Sequence, residues 1–157
     1  MALYASISGQ VDYNPWLVEP VPLDVDNNVD PYFFPFNTKT PDHIGNHVVA
    51  IGHILKALAP GPSAGKTILE YGCGNGFTTI FLATAGYDVT AVDINADALK
   101  ILGRLSDRRG LNVRTHNGVF GDIPVQGARF DHILFYEAFR HCSGFADLLR
   151  TMHGQIK

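Results

Sequence analysis

A glycine-rich turn between an apolar strand and an apolar helix is the feature that most constrains the fold of this chain. The strand pattern, residues 67–70, ends in a turn with glycine at 72, 74 and 76, and a helical pattern follows. Glycines let the backbone turn sharply and approach a ligand, and the unpaired N–H groups of the new helix face the same crevice. Asp93 ends the next apolar run, 17 residues beyond Gly76. A carboxylate at that strand tip can accept both hydroxyls of a ribose, so the pattern predicts a nucleoside cofactor.

The spacing of the glycines separates two kinds of nucleoside site. The dinucleotide fingerprint is Gly-x-Gly-x-x-Gly, whereas here the third glycine comes one place early and Glu70 stands two residues before the first. Residues 70–76, Glu-Tyr-Gly-Cys-Gly-Asn-Gly, resemble motif I of the class I S-adenosylmethionine-dependent methyltransferases. Three later segments are similar to that family in the same order: Asp93-Ile94, residues 130–136 and residues 145–157. The resemblance covers residues 42–157 and implies S-adenosylmethionine as the cofactor.

The resemblance also implies a set of cofactor-binding residues. Glu70 is expected to orient the glycine loop and the methionine amino group, Asp93 to bind the ribose, and Ile94 to pack on the adenine. The family usually places an acid after the third strand to accept from the adenine amino group, but here the nearest candidates carry no charge. The full predicted set is Glu70, Gly72, Cys73, Gly74, Gly76, Asp93, Ile94, Asn117, Gly118, Val119 and Tyr136.

Strand and helix patterns alternate along the chain, which predicts an α/β fold. Strands are expected at 67–70, 88–93, 111–116 and 130–136, and helices at 42–59, 76–85, 96–109 and 144–154. Such alternation produces right-handed βαβ units, a parallel sheet with helices on both faces, and ligand sites at the carboxyl ends of the strands. The resemblance implies a Rossmann-like sheet with strand order 3-2-1-4, incomplete because the family's sheet has seven strands.

The fourth predicted strand, residues 130–136, ends this sheet. It has an apolar edge without a partner, and open edges favour pairing with another chain, so this edge is a candidate for self-association. The chain is expected to be truncated after this strand and the following helix. A fragment, a truncated gene product and half of an assembly all remain open.

Residues 1–41 differ in composition from the rest of the chain. They hold six of the nine prolines and seven of the 17 aromatic residues. Proline at this density excludes long helices and central strands, whereas disordered tails are poor in aromatic residues. We therefore expect an N-terminal arm that packs on its own domain or forms a flap over the substrate site.

Length, charge and hydropathy bound the class of function. A chain of 157 residues corresponds to one domain, and its net charge of −3 argues against a general nucleic-acid binder. No apolar run approaches the ~18 residues that span a bilayer, and no early basic and apolar segment predicts a secretory signal. Two cysteines are too few for a disulfide framework or a Cys-only zinc site. We predict a cytoplasmic protein with a small-molecule substrate and no nucleic-acid or membrane partner.

Candidate acid and base residues follow the fourth strand. In-line methyl transfer from a sulfonium depends mainly on alignment and exclusion of water, and it needs a base only when the nucleophile arrives protonated. Glu137 and His141 are the candidates, because imidazole titrates near neutral pH and a buried carboxylate can be tuned to do so. For His141 the alternative is packing against the next helix. His43 and His47 lie at i and i+4, but no third ligand is evident, so no metal site is predicted.

The sequence leaves several functions open. The leading interpretation is a methyltransferase acting on a metabolite, lipid precursor or sugar. The alternatives are a catalytically inactive cofactor-binding or interaction module, a nicotinamide-dependent oxidoreductase, which the glycine spacing and Glu70 disfavour, and an aminopropyl transferase. Cys73, inside the glycine turn, is expected to be a small buried filler rather than a reactive thiol.

Overall fold

The computed structural model describes residues 34–58, 61–142 and 144–157. The arm predicted over residues 1–41 lies outside the described residues except for residues 34–41. A short 3₁₀ helix, Phe36–Thr38, precedes a long helix, and strands and helices then alternate. In chain order the elements are α1 (Pro41–Leu58), β1 (Thr67–Tyr71), α2 (Phe77–Thr84), β2 (Asp88–Asp93), α3 (Ala96–Arg108), β3 (Val113–Asn117), β4 (His132–Phe135), a second 3₁₀ helix (Phe139–His141) and α4 (Phe145–His153).

The four strands form one parallel sheet in the order β3-β2-β1-β4. In the register, Leu69 lies beside Thr90 of β2 and Ile133 of β4. Every strand is therefore reached by a crossover through a helix or a long loop, and all carboxyl ends meet at one edge of the sheet. The predicted Rossmann-like fold and the strand order 3-2-1-4 are confirmed.

The core lies on both faces of the sheet because the strand side chains alternate. On one face Ile68 and Val89 pack with residues of α1 and α2, and Ala91 packs with the apolar side of α3. On the other face the core contains Leu69, Tyr71 and Val92, with Met152 of α4 packed against them. Three helices thus cover one face and α4 covers the other.

Local hydrogen bonds explain where α3 begins and ends. The Asn95 side chain accepts from the N–H groups of Asp97 and Ala98, which caps the first turn of the helix. After the helix, the N–H of Leu111 donates to the Ser106 carbonyl at 3.0 Å. Leu111 is therefore still part of the helix ending, and β3 begins at Val113 rather than at 111 as the sequence predicted.

The outer edge of β4 is not fully open, so that expectation is wrong in part. The N–H of Phe130 donates to the Gln155 carbonyl at 2.8 Å, and the N–H of Lys157 donates to the Phe130 carbonyl at 2.9 Å. The Asp131 carboxylate accepts from the Thr67 N–H and from the Lys157 ammonium. The end of the described chain thus runs beside the start of β4, while residues 132–135 lie at the sheet edge.

The length and hydropathy of a helix determine whether it can cross a membrane. Among residues 34–58, 61–142 and 144–157, no helix combines the length and the apolar character needed to cross a membrane.

Candidate functional site

A cavity of about 780 Å³ opens at the carboxyl ends of the four strands. Its volume lies within the ~300–1,000 Å³ that is typical of sites for small molecules and cofactors. The loops that follow the strands all contribute to it, as the parallel topology requires.

The glycines of the turn after β1 have two different roles. Gly72 (φ +71°) and Gly74 (φ +52°) line the cavity, and a Cβ at position 72 would lie 2.4 Å from the Cβ of Ala138. Gly76 (φ +85°) is not among the lining residues, and a Cβ there would lie 2.3 Å from Cδ1 of Leu102. Gly76 therefore allows close packing of the turn against α3, and its predicted contact with a cofactor stays a prediction.

Asp93 joins the tip of β2 to the glycine turn. Its Oδ2 accepts from the Gly74 N–H at 2.8 Å and its Oδ1 accepts from the Asn95 N–H at 2.8 Å. Burial raises the pKa of this carboxyl, and these backbone hydrogen bonds oppose the rise. Asp93 and Ile94 both line the cavity, as predicted. Each carboxylate oxygen keeps a second lone pair for a ligand.

Glu70 is almost fully buried at the floor of the cavity. Its side chain has 1% relative exposure, and its Oε2 accepts a hydrogen bond from the Thr79 hydroxyl. Burial raises the pKa of Glu70 to about 7, against the lowering effect of hydrogen bonds from Thr79 and Thr78. Burial also raises the pKa of the neighbouring Cys73 thiol well above its usual range. Cys73 is therefore a buried, protonated thiol in the cavity wall, as the filler interpretation expected.

The loop after β3 forms an apolar wall. Gly118, Val119 and Phe120 line the cavity, whereas Asn117 does not. The Asn117 side-chain amide donates to the carbonyls of Asp93 and Ile94 at 3.0 Å each. Asn117 thus joins the ends of β2 and β3 through its amide nitrogen, and its predicted contact with adenine, which would use the side-chain carbonyl, stays a prediction.

The segment after β4 supplies the ionisable groups on the opposite wall. Tyr136, Glu137 and His141 all line the cavity, as predicted. Glu137 has φ +53°, a left-handed conformation that costs a non-glycine residue roughly 1–2 kcal/mol. Strain of this kind persists where the surrounding structure imposes it, and it is frequent at functional sites. His141 ends the second 3₁₀ helix, and its N–H donates to the Ala138 carbonyl at 3.0 Å.

Several lining residues were not predicted individually. Phe34 and Asn37 come from the last part of the arm, and the Phe34 ring packs edge-on against His47 and Phe77. In the sequence, the high aromatic content of the arm was the only signal for Phe34, and Asn37 had none. Other lining residues, among them Asn75, Phe77, Thr78 and Phe120, carry no motif signal of their own beyond their place beside the predicted ones.

The described residues contain no group of three or more His, Cys, Asp or Glu side chains placed to hold a metal ion. The rings of His43 and His47 pack against each other at 4.5 Å between centroids. The Nδ1 atom of His47 is instead hydrogen-bonded to the Tyr136 hydroxyl.

The residues present fit an S-adenosyl cofactor. Gly74 lines the cavity with a φ of +52° and no atom within 4 Å of the position of a Cβ, so the turn presents bare backbone to a ligand. Asp93 supplies buried acceptor oxygens for ribose hydroxyls, Glu70 supplies a buried acid, and Val119 and Phe120 supply apolar surface for a base.

The fold and this site define a doubly wound domain built to bind a nucleoside cofactor. A family model described as "Methyltransferase domain" matches residues 68–157, and the chain belongs to this family. The match confirms the predicted class, an S-adenosylmethionine-dependent methyltransferase, and with it the predicted cofactor.

Curated relatives agree with this membership. The chain is similar to the ubiquinone biosynthesis O-methyltransferase of Methylocella silvestris (30% identity over 74% of this chain and 45% of the relative). It is also similar to the protein of the same name from Methylobacterium sp. (29% identity over 67% of this chain and 42% of the relative). The chain thus spans less than half the length of these relatives.

Two solved structures share the fold. One is coclaurine N-methyltransferase bound to N-methylheliamine and SAH, with a TM-score of 0.62 and 24% identity over 70% of this chain and 33% of that one. The other is the magnesium protoporphyrin IX methyltransferase of Synechocystis PCC 6803 with bound SAH. Its TM-score is 0.63, and it is 16% identical over 73% of this chain and 53% of that one.

Proposed function

We propose that this chain binds S-adenosylmethionine in the cavity and directs its methyl group to a hydroxyl oxygen of a small molecule. The observation that carries the proposal is that a single cavity is lined by both kinds of group the reaction needs. Glu70, Gly74 and Asp93 form the wall suited to the cofactor. Tyr136, Glu137 and His141 form the wall suited to an acceptor that loses a proton.

The positions of the wall residues support a role for each of them in holding the cofactor. Asp93 accepts hydrogen bonds from the ribose hydroxyls with the lone pairs that Gly74 and Asn95 do not use. Ile94 and Val119 would pack on the adenine, and Glu70, which accepts a hydrogen bond from Thr79 of α2, would face the amino-acid end of the ligand. When bound, the cofactor supplies a methyl group on a sulfonium with a neutral thioether as leaving group. The chain therefore contributes alignment and exclusion of water.

On the wall that faces the methyl acceptor, the question is which residue takes the proton of the attacking hydroxyl. Glu137 and His141 stay the predicted acid and base residues, and both face the cavity. An oxygen acceptor is supported by the names of the relatives, which are O-methyltransferases. A cytoplasmic location and self-association through residues 130–136 also stay predictions.

Calorimetric titration of the whole chain with S-adenosylhomocysteine (SAH) tests the cofactor site. We expect micromolar affinity, about −8 kcal/mol, and no heat with NADH at the same concentration. A catalytically inactive module also binds SAH, so the second step is turnover. We expect formation of SAH from S-adenosylmethionine when small phenols and other hydroxylated compounds are offered. Binding of NADH alone would refute the proposal in favour of an oxidoreductase.

A further inference from the structure

A buried histidine and a cavity-lining tyrosine form a pair between α1 and β4. The Nδ1 atom of His47 is hydrogen-bonded to the hydroxyl of Tyr136, 89 residues further along the chain. His47 has 7% relative exposure, whereas Tyr136 is half-buried and lines the cavity beside Glu137. The tyrosine oxygen is thus the contact between a buried imidazole and the space for the ligand.

The protonation states and the imidazole tautomer together decide which partner donates. Burial lowers the pKa of His47, the Glu137 carboxylate opposes this, and His43 adds to it. Burial raises the pKa of Tyr136, as does the Glu137 carboxylate. At neutral pH the imidazole is therefore uncharged and the phenol keeps its proton. When the neutral imidazole carries its proton on Nε2, the Tyr136 hydroxyl donates to Nδ1, and the tyrosine oxygen keeps its lone pairs for a donor in the cavity.

Aromatic rings hold the imidazole in place. The His47 ring packs edge-on against Phe34 at 4.6 Å, His43 at 4.5 Å and Phe77 at 5.8 Å between centroids. The titratable groups that face it are His43 on its own helix, and Tyr136 and Glu137 after β4. Because the ring is fixed on several sides, its Nδ1 stays directed at the phenol, as preorganised proton transfer requires.

We propose that Tyr136 and His47 form a proton relay for the acceptor hydroxyl. The inference deepens the proposed function and rests on it. The acceptor O–H donates to the Tyr136 oxygen. As the acceptor oxygen gains the methyl group, its O–H bond breaks and a new O–H bond forms on Tyr136. The original Tyr136 proton moves to Nδ1 of His47. The resulting imidazolium faces the Glu137 carboxylate, which stabilises the positive charge, and the proton then leaves to solvent.

A purely structural latch between α1 and β4 is the competing explanation. The variant His47→Asn separates the two, because an amide oxygen near the position of Nδ1 still accepts from Tyr136 but does not take up a proton. Tyr136→Phe removes the relay oxygen altogether. The matched controls are His53→Gln, an exposed histidine further along α1, and Tyr87→Phe, a buried tyrosine that contacts His132.

The test uses 4-nitrophenol and 4-nitrocatechol, whose phenolates absorb visible light, with the full chain saturated with SAH so that no turnover occurs. SAH affinity and circular dichroism are measured first for each protein. In wild type and both controls we expect the bound probe to show about tenfold more phenolate than free probe at a pH one unit below the probe's own pKa. His47→Asn is expected to lose this excess while binding SAH within threefold of wild type, and Tyr136→Phe is expected to lose the excess as well.

The outcomes separate the two proposals. If wild type binds SAH but never increases the phenolate of either probe, the relay is overturned and the cofactor site stands. The relay is also overturned if His47→Asn keeps the excess, or if His141→Asn alone removes it, because the proton would then go elsewhere. If wild type fails to bind SAH, the proposed function fails, and the relay fails with it.

Discussion

The carboxylate of Asp93 accepts the N–H of Gly74 at 2.8 Å, so the acid at the tip of β2 holds the turn that follows β1. The same carboxylate accepts the N–H of Asn95 at the start of α3. Asp93 thus orders the cavity wall from which it is proposed to bind ribose. Its replacement is expected to affect folding and binding by different amounts.

Replacing Asp93 with Ala should abolish SAH binding and also destabilise the fold. The change leaves two backbone N–H groups without their acceptor, at about 1–3 kcal/mol for each one that stays buried. Asp93→Asn keeps one acceptor oxygen, so we expect an intermediate loss of stability with affinity still lowered at least about tenfold, ~1.4 kcal/mol. Calorimetry with SAH and urea unfolding measure the two effects separately.

Asp97 provides the control for this change. It lies on the exposed side of α3 in an i,i+3 ion pair with Lys100, so Asp97→Ala should alter stability by less than about 0.5 kcal/mol and leave SAH affinity intact. Wild-type affinity in Asp93→Ala would show that the ribose site lies elsewhere.

Substituting Gly72 with Ala should lower stability through both backbone strain and a steric collision. The new Cβ would lie 2.4 Å from that of Ala138, at a φ of +71°. Overpacking and left-handed strain together predict that the free energy of unfolding falls by about 2–4 kcal/mol. The collision should also displace the segment that carries Glu137. Gly110→Ala has a similar φ of +61° with no atom within 4 Å, so only the strain of about 1 kcal/mol is expected there. If urea unfolding gave equal losses of stability for Gly72→Ala and Gly110→Ala, the collision with Ala138 would make no contribution.

Phe34 tests whether the end of the arm takes part in the site. Phe34→Ala removes a cavity-lining ring that packs against His43 and His47, so we expect SAH affinity or probe binding to fall by about tenfold, ~1.4 kcal/mol. Phe145, which is 57% exposed on α4, is the matched control and its replacement should change neither. Unchanged binding in Phe34→Ala would contradict a flap formed by this segment.

Local sequence patterns were sufficient to predict the sheet and most of the cofactor wall. The glycine turn, Glu70 and Asp93 each follow an apolar strand directly, and parallel strands bring their carboxyl ends to one edge whatever the remaining packing. Position along the chain therefore determines position in the site. By the same logic Tyr136, Glu137 and His141, which follow β4, line the cavity, and their roles there stay predictions.

Contacts between distant elements could not be predicted in this way. Nothing in the spacing distinguishes Gly76, which packs on Leu102, from the two glycines that line the cavity. Asn117 matches a binding position in sequence, yet its amide is used by the carbonyls at the end of β2. The bond between His47 and Tyr136 depends on how α1 crosses the sheet, which no periodicity specifies.

The burial of Glu70 predicts a pH dependence of stability with a definite sign. Its pKa is raised from 4.5 to about 7 by burial, so between these values the folded chain binds a proton that the unfolded chain does not. The free energy of unfolding should therefore fall as the pH rises from about 4.5 to about 7, by up to about 3 kcal/mol, and then level off for this group. Urea unfolding at intervals between pH 4.5 and pH 8 measures the slope.

Glu70→Gln isolates this contribution from other groups, including Asp93, whose pKa is also raised. The amide cannot ionise and can still accept from the Thr79 hydroxyl, so the variant should match wild type near pH 5 and exceed its stability at pH 8. Its SAH affinity should nevertheless fall, because the neutral amide no longer presents a charge beside the glycine turn. Loss of stability at both pH values would mean that the carboxylate is stabilising as an ion, and that the buried acid is neutralised by a partner rather than by a proton.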